Sequence, residues 1–188
     1  HSHIAALFEQ RKHQPLLNTS YPLHPSHWAS YRVSQGTLPF DADNTLSMYV
    51  HVPFCQRLCA FCEYTRMLVP DEETQIHYIN VVRADIMRFR QHKGAFRLAG
   101  FDIGGGTPMA LSDNAFSHLL DTYDEAIDGL TPATDYEPSI EGTFASVTKQ
   151  KLQRIVASGV RRLSLGMQTS SNNVLCHQNR ATDDPTTM

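Results

Sequence analysis

The sequence has 188 residues, 41% hydrophobic and 19% charged, with a net charge of −3, which is enough chain for one domain with a substantial core in the composition of an ordinary globular protein. That charge and a pI of about 6.4 exclude a nucleic-acid or membrane partner held by bulk electrostatics. No stretch reaches the roughly 18 apolar residues of a membrane span, and the start "HSHIAALFEQRKHQ" lacks the basic end and apolar run of a secretory signal.

Residues 1–45 read as an irregular N-terminal extension after a short helix. "NTSYPLHPSHWASYRVSQGTLPFDADN" is rich in Pro, Ser and Asn, which favour turns through a fixed φ and local side-chain hydrogen bonds. Tyr21, Trp28, Tyr31 and Phe40 still give it residues that can pack. His24 and His27 have no further ligand nearby and read as a surface pair. With no initiator Met, the sequence is expected to be an excerpt of a longer chain.

From residue 46 strands and helices alternate. "LSMYVHV" (46–52) reads as a buried strand, and Ile76, Ile79, Val82, Ile86 and Phe89 have helical spacing over 72–93. "LAGFDIG" (98–104) is a second strand ending in glycines. Ser112 is a good N-cap for an amphipathic helix, and "TDYEPSIEG" (134–142) is a third strand, weakened by Pro138. "SVTKQKLQRIVASG" is a helix stopped by Gly159. "VRRLSLGM" (160–167) is strand four, and a last helical piece covers about 170–178. This repetition predicts an α/β fold of parallel strands with right-handed crossovers, one open arc of a (β/α) barrel with about four strand–helix units in residues 46–188. Every chemically suggestive residue falls at the C-terminal end of a strand, where such folds assemble their sites.

The cysteines are the sharpest of these. Cys55, Cys59 and Cys62 lie within eight residues in "HVPFCQRLCAFCEY", and Cys176 stands far along the chain. The absence of secreted character argues against two disulfides and for a metal or redox role in a reducing compartment. A structural zinc site asks for four protein ligands. A [4Fe–4S] cluster ordinarily takes four thiolates, so three on one loop suit a cluster with one iron left for a non-protein ligand. Cys176 reads as a small apolar residue on a helix face.

"YVHVPFCQRLCAFC", "GGGTP" at 104–108, "GVRRLSLGMQ" at 159–168 and "NR" at 179–180 together resemble the radical S-adenosylmethionine (SAM) enzymes, more narrowly the oxygen-independent coproporphyrinogen III oxidase family. The resemblance implies a radical SAM partial barrel, with a [4Fe–4S] cluster on Cys55, Cys59 and Cys62. It implies that SAM chelates the open iron and is cleaved reductively to a 5′-deoxyadenosyl radical. It places SAM contacts at Gly105, Gly106, Thr107, Glu141, Gln168 (ribose) and Arg180 (carboxylate). Tyr49 and Phe61 resemble aromatics near the cluster and adenine, with core packing the alternative for each. A tetrapyrrole is among the substrates implied, with an electron donor such as flavodoxin or ferredoxin and a cytoplasmic location. No residue is assigned as a catalytic acid or base.

One position departs from the pattern. Coproporphyrinogen oxidases carry a further cysteine two residues after the last cluster ligand, and here Tyr64 stands there. Relatives lacking it include haem-trafficking chaperones and haem-degrading methyltransferases, so a non-catalytic haem chaperone on the same cluster-bearing fold is the alternative.

Overall fold

The computed structural model describes residues 44–180. The expected N-terminal extension, with His24 and His27, lies outside the described residues except for its last two positions.

The first strand, β1 (Thr45–Val52), runs into the short β2 (Phe54–Cys55), which pairs with β3 (Met67–Leu68). Helix α1 (Glu72–Lys93) opens at Asp71, whose Oδ1 accepts from the Thr74 N–H at 2.8 Å. This satisfies one of the donors orphaned at a helix start. Strand β4 (Arg97–Gly105) follows, then α2 (Asp113–Ile127), capped by the Ser112 hydroxyl as expected. After β5 (Thr131–Pro132) and β6 (Ser139–Gly142) come α3 (Lys149–Ala157), β7 (Arg162–Leu165) and α4 (Asn172–His177).

The strands lie side by side in the order β1–β4–β6–β7, all parallel, with β5 also on β4. Sequential neighbours joined by helices put every crossover on the same face, so the sheet is singly wound. The third strand differs from its expected span of 134–142. Residues 133–138 leave the sheet, so Thr131–Pro132 pairs with the start of β4 and Ser139–Gly142 with its later part. Pro138 has no N–H to give a ladder. Its carbonyl instead accepts from the backbone N–H groups of Arg161 and Arg162 at 3.0 and 3.1 Å, which starts β7.

Strand side chains alternate between faces. Val50, Val52, Phe101, Ile103 and Ile140 point to the helices, where they form one core with Ile79, Ile86, Phe116, Leu119, Leu120 and Ile155. Phe101 meets Tyr123 edge-on, with centroids 4.8 Å apart. Each large apolar side chain buried this way contributes about 1.5–3 kcal/mol. The alternate residues face the helix-free side. There Tyr49 lies in register with Asp102, Asp102 with Ser139, and Ser139 with Arg162. The Ser139 hydroxyl and the Arg162 guanidinium both donate to Asp102 Oδ1, so a polar row crosses the sheet.

No described helix is long and apolar enough to cross a membrane.

Candidate functional site

The ends of the parallel strands converge on the cysteine loop. After β4 the chain passes beneath β2, with Gly106 N–H donating to the Val52 carbonyl and Thr107 N–H to the Phe54 carbonyl, each at 2.8 Å. A Cβ on Gly106 would lie 2.8 Å from the Phe54 oxygen and 2.9 Å from Cys55 Sγ. Only glycine fits there. Gly105 has φ +114°, a backbone conformation that side chains oppose, and a Cβ there would meet the His51 ring. Its N–H donates to Glu141 Oε2 at 3.2 Å, so the end of β6 is tied directly to the glycine strip. Met109 packs against Gly142 from below.

This base is braced by a buried lysine. Lys151, on α3, donates to the carbonyls of Met109 and Leu111 at 2.9 and 2.8 Å and lies 3.6 Å from Asp113. Burial lowers its pKa, and Asp113 opposes that shift.

Of the three clustered cysteines, Cys55 is buried while Cys59 and Cys62 are half-buried, and none is in a disulfide. Burial raises the pKa of Cys55, and the Thr107 hydroxyl, 3.7 Å from its sulfur, pulls it back down. A buried thiol becomes a ligand when a cation offsets that penalty. Among the described residues no three His, Cys, Asp or Glu side chains gather as a group that could hold a metal ion. A cubane holds its thiolates on separate iron corners, so it does not require the sulfurs to meet at one point. The surroundings fit such an anionic group. Buried side-chain atoms with no hydrogen-bond partner include Arg66 Nε and Arg180 Nε, and both arginines touch Cys59. Arg66 Nη2 donates to the Cys59 carbonyl at 2.9 Å, and Arg180 Nη1 lies 3.7 Å from Cys59 Sγ.

Arg180 is only 9% exposed, and its Nη2 donates to the Gly166 carbonyl at the end of β7. Gln168 has φ +65°, and its amide nitrogen and the Arg180 guanidinium flank Gly166. The structure thus brings together Cys55, Gly105, Gly106, Thr107 and Glu141, and gathers Gln168 and Arg180 about Gly166, with Arg180 in contact with Cys59. Tyr49 and Phe61 are 59% and 44% exposed, so neither is a core-packing residue. Partial burial of the Tyr49 phenol, then the Glu141 carboxylate, raise its pKa. Cys176 is exposed on α4, and the apolar contact of that helix is made by the buried Leu175 instead.

Two residues here, His51 and Arg66, were not singled out from sequence, and Asn179 was read only as part of "NR" with no role of its own. His51 Nε2 donates to the Thr65 carbonyl at 2.8 Å, and its Nδ1 lies 3.2 Å from Tyr49 Oη; its place two residues after Tyr49 was the available signal. Asn179 donates to the Leu58 carbonyl at 3.0 Å. Arg66 had no signal beyond lying after the cysteines.

No protein-family model matches the chain. It is similar to the anaerobic coproporphyrinogen III oxidase 1 of Cereibacter sphaeroides, 34% identical over 159 residues, covering 80% of this chain and 33% of that protein. It is similar also to the heme chaperone HemW of Bacillus subtilis, 29% identical over 130 residues, 69% of this chain and 33% of that one. Among solved structures it resembles the Escherichia coli coproporphyrinogen III oxidase HemN, described as a radical SAM enzyme, with a TM-score of 0.65 and 28% identity over 74% of this chain and 32% of that one. The chain is a radical SAM relative of the oxygen-independent coproporphyrinogen III oxidases. It spans about a third of the length of these relatives.

Proposed function

We propose that this chain binds a [4Fe–4S] cluster through Cys55, Cys59 and Cys62, holds SAM beside it, and takes part in radical chemistry on a tetrapyrrole. One observation carries the reading: the cysteine loop, the glycine strip and Glu141 meet at the ends of three parallel strands, with Gly106 backed against Cys55 and the Gly105 N–H on Glu141. When bound, the cluster supplies the electron that cleaves the sulfonium of SAM to methionine and a 5′-deoxyadenosyl radical. The chain's own residues bind and orient. Gly104 to Gly106 leave bare backbone for the amino-acid end of SAM, and Glu141 accepts from its ammonium. Gln168 meets the ribose, and Arg180 meets the carboxylate through its planar fork. Tyr49 and Phe61 lie beside the adenine and the cluster. Electrons come from a small carrier such as a flavodoxin or ferredoxin.

The test is anaerobic reconstitution of the complete polypeptide with iron and sulfide, then reduction with SAM present. Formation of 5′-deoxyadenosine is expected; a brown, cluster-loaded protein that leaves SAM intact refutes the catalytic reading. The second reading is a haem chaperone on the same fold, favoured by Tyr64 at the position of the oxidases' further cysteine and by the names of the HemW relatives. It is distinguished by stable haem binding without SAM consumption.

A further inference from the structure

Cys59 is held from two sides by guanidinium groups, and only one of them has a role in the reading above. Arg66 lies four residues past Cys62. Its Nη2 donates to the Cys59 carbonyl at 2.9 Å and its Nη1 to the Tyr64 carbonyl at 3.4 Å, so it spans the segment that contains Cys62. The same Cys59 carbonyl accepts from the Cys62 N–H at 3.2 Å. Arg66 therefore grips the turn that sets Cys59 and Cys62 relative to each other. Its Nε is buried with no partner, which is costly for a charged group.

We infer that Arg66 is a positioning residue of the cluster site: its fork fixes the turn between Cys59 and Cys62, and its charge offsets that of the thiolate-bound cluster. The inference rests on the cluster reading above. Three thiolates concentrate negative charge, and each electron added to a cluster increases it. A guanidinium stays protonated at any working pH, so it favours the more reduced state and raises the reduction potential. Net charge and hydrogen bonding are among the levers that set that potential.

The test uses the reconstituted complete polypeptide without SAM, measuring iron per chain and the cluster's midpoint potential in a dithionite titration followed by electron paramagnetic resonance. Arg66→Met loses both fork and charge. It is expected to retain iron about 10-fold less well, as when other groups supporting a ligand are removed, and to have a lower potential. Arg66→Gln keeps amide donors for the carbonyls, so iron content close to wild type and a lowered potential are expected. It also serves if the Met variant does not fold. An unchanged potential in Arg66→Gln overturns the charge role, and unchanged iron retention in a folded Arg66→Met overturns the positioning role. A wild-type protein that takes up no cluster overturns the proposed function itself, and the wild-type sample alone reveals it.

Discussion

Arg180 Nη1 lies 3.7 Å from Cys59 Sγ although 121 residues separate the two in sequence. Around that contact Gln178 gives its carbonyl to the Ala60 N–H at 2.9 Å, and Asn179 donates to the Leu58 carbonyl at 3.0 Å. The exit from α4 is thus laced to the cysteine loop residue by residue. Asn179 adopts φ +52° to make this turn, a conformation that asparagine tolerates better than most residues. The loop that carries the cysteines is held from the far end of the domain.

Removing Arg180 should therefore act on stability and on the cofactor together. Arg180→Ala loses a charge-assisted hydrogen bond to the Gly166 carbonyl, worth about 1.5–3 kcal/mol, and a fall of that size is expected in urea unfolding of the apoprotein. In the loaded protein it should weaken SAM binding more than Gln168→Ala does, by about tenfold, since a neutral hydrogen bond contributes about 1 kcal/mol less. A SAM titration followed by the cluster's spectrum reads the difference, and equal affinities in the two variants would show that Arg180 does not hold the cofactor.

The cysteines should divide three against one. Alanine at Cys55, Cys59 or Cys62 is expected to abolish cluster loading. Cys176→Ala should load like wild type, because that thiol is exposed on α4 and stands apart in sequence from the other three. Iron and acid-labile sulfide per chain after anaerobic reconstitution decide it. Equal iron loss in the Cys176 variant would end the three-ligand assignment.

Two neighbouring glycines should respond differently to the same methyl group. A Cβ on Gly106 meets backbone atoms at 2.8 Å, those of Pro53 and Phe54, which cannot step aside. Overpacking of that kind costs about 1–3 kcal/mol. On Gly104 the clash is with the Glu141 carboxylate, 2.7 Å away at its nearest oxygen, a flexible side chain that can swing away by giving up its exposed 3.2 Å bond from the Gly105 N–H. Gly106→Ala should lower the denaturation midpoint clearly, and Gly104→Ala should leave it nearly unchanged while weakening SAM binding by displacing Glu141. A Gly104→Ala protein that binds SAM normally would remove Glu141 from the site.

Lys151 makes a pH-dependent prediction. Its folded pKa is lowered by burial, so between that value and the ordinary lysine range the unfolded chain binds more protons than the folded one. Stability contributed by this group then rises with pH across that window and levels off above it. Compared with Lys151→Met, the wild type should gain stability as the solution is made alkaline through the lysine range. Below the window the variant should be less stable by about 1–3 kcal/mol, because the Met109 and Leu111 carbonyls lose their donor. Urea unfolding of both proteins at several pH values gives the comparison. A pH-independent difference would mean the lysine is not held in the folded state as the structure has it.

Read alone, the residues determine most of the architecture. The apolar runs "LSMYVHV" and "LAGFDIG", helical spacing over 72–93 and the caps at Ser112 and Gly159 are local signals, each written within a short stretch of chain. They were enough to place four parallel strands and the chemistry at their ends, and the spacing of Cys55, Cys59 and Cys62 was enough to suggest the cofactor. The break in the third strand was only half legible. Pro138 marked the weakness, but not that residues 133–138 would leave the sheet while Thr131–Pro132 stayed in it. Which side chains close on Cys59 was decided by tertiary structure alone. Arg66 and Arg180 reach it through a loop fold and a helix exit, and the Gly105 bond to Glu141 depends on the register of β4 against β6. Such contacts depend on how distant segments align in space, and a periodic pattern fixes the face a residue occupies without fixing its neighbour across the sheet.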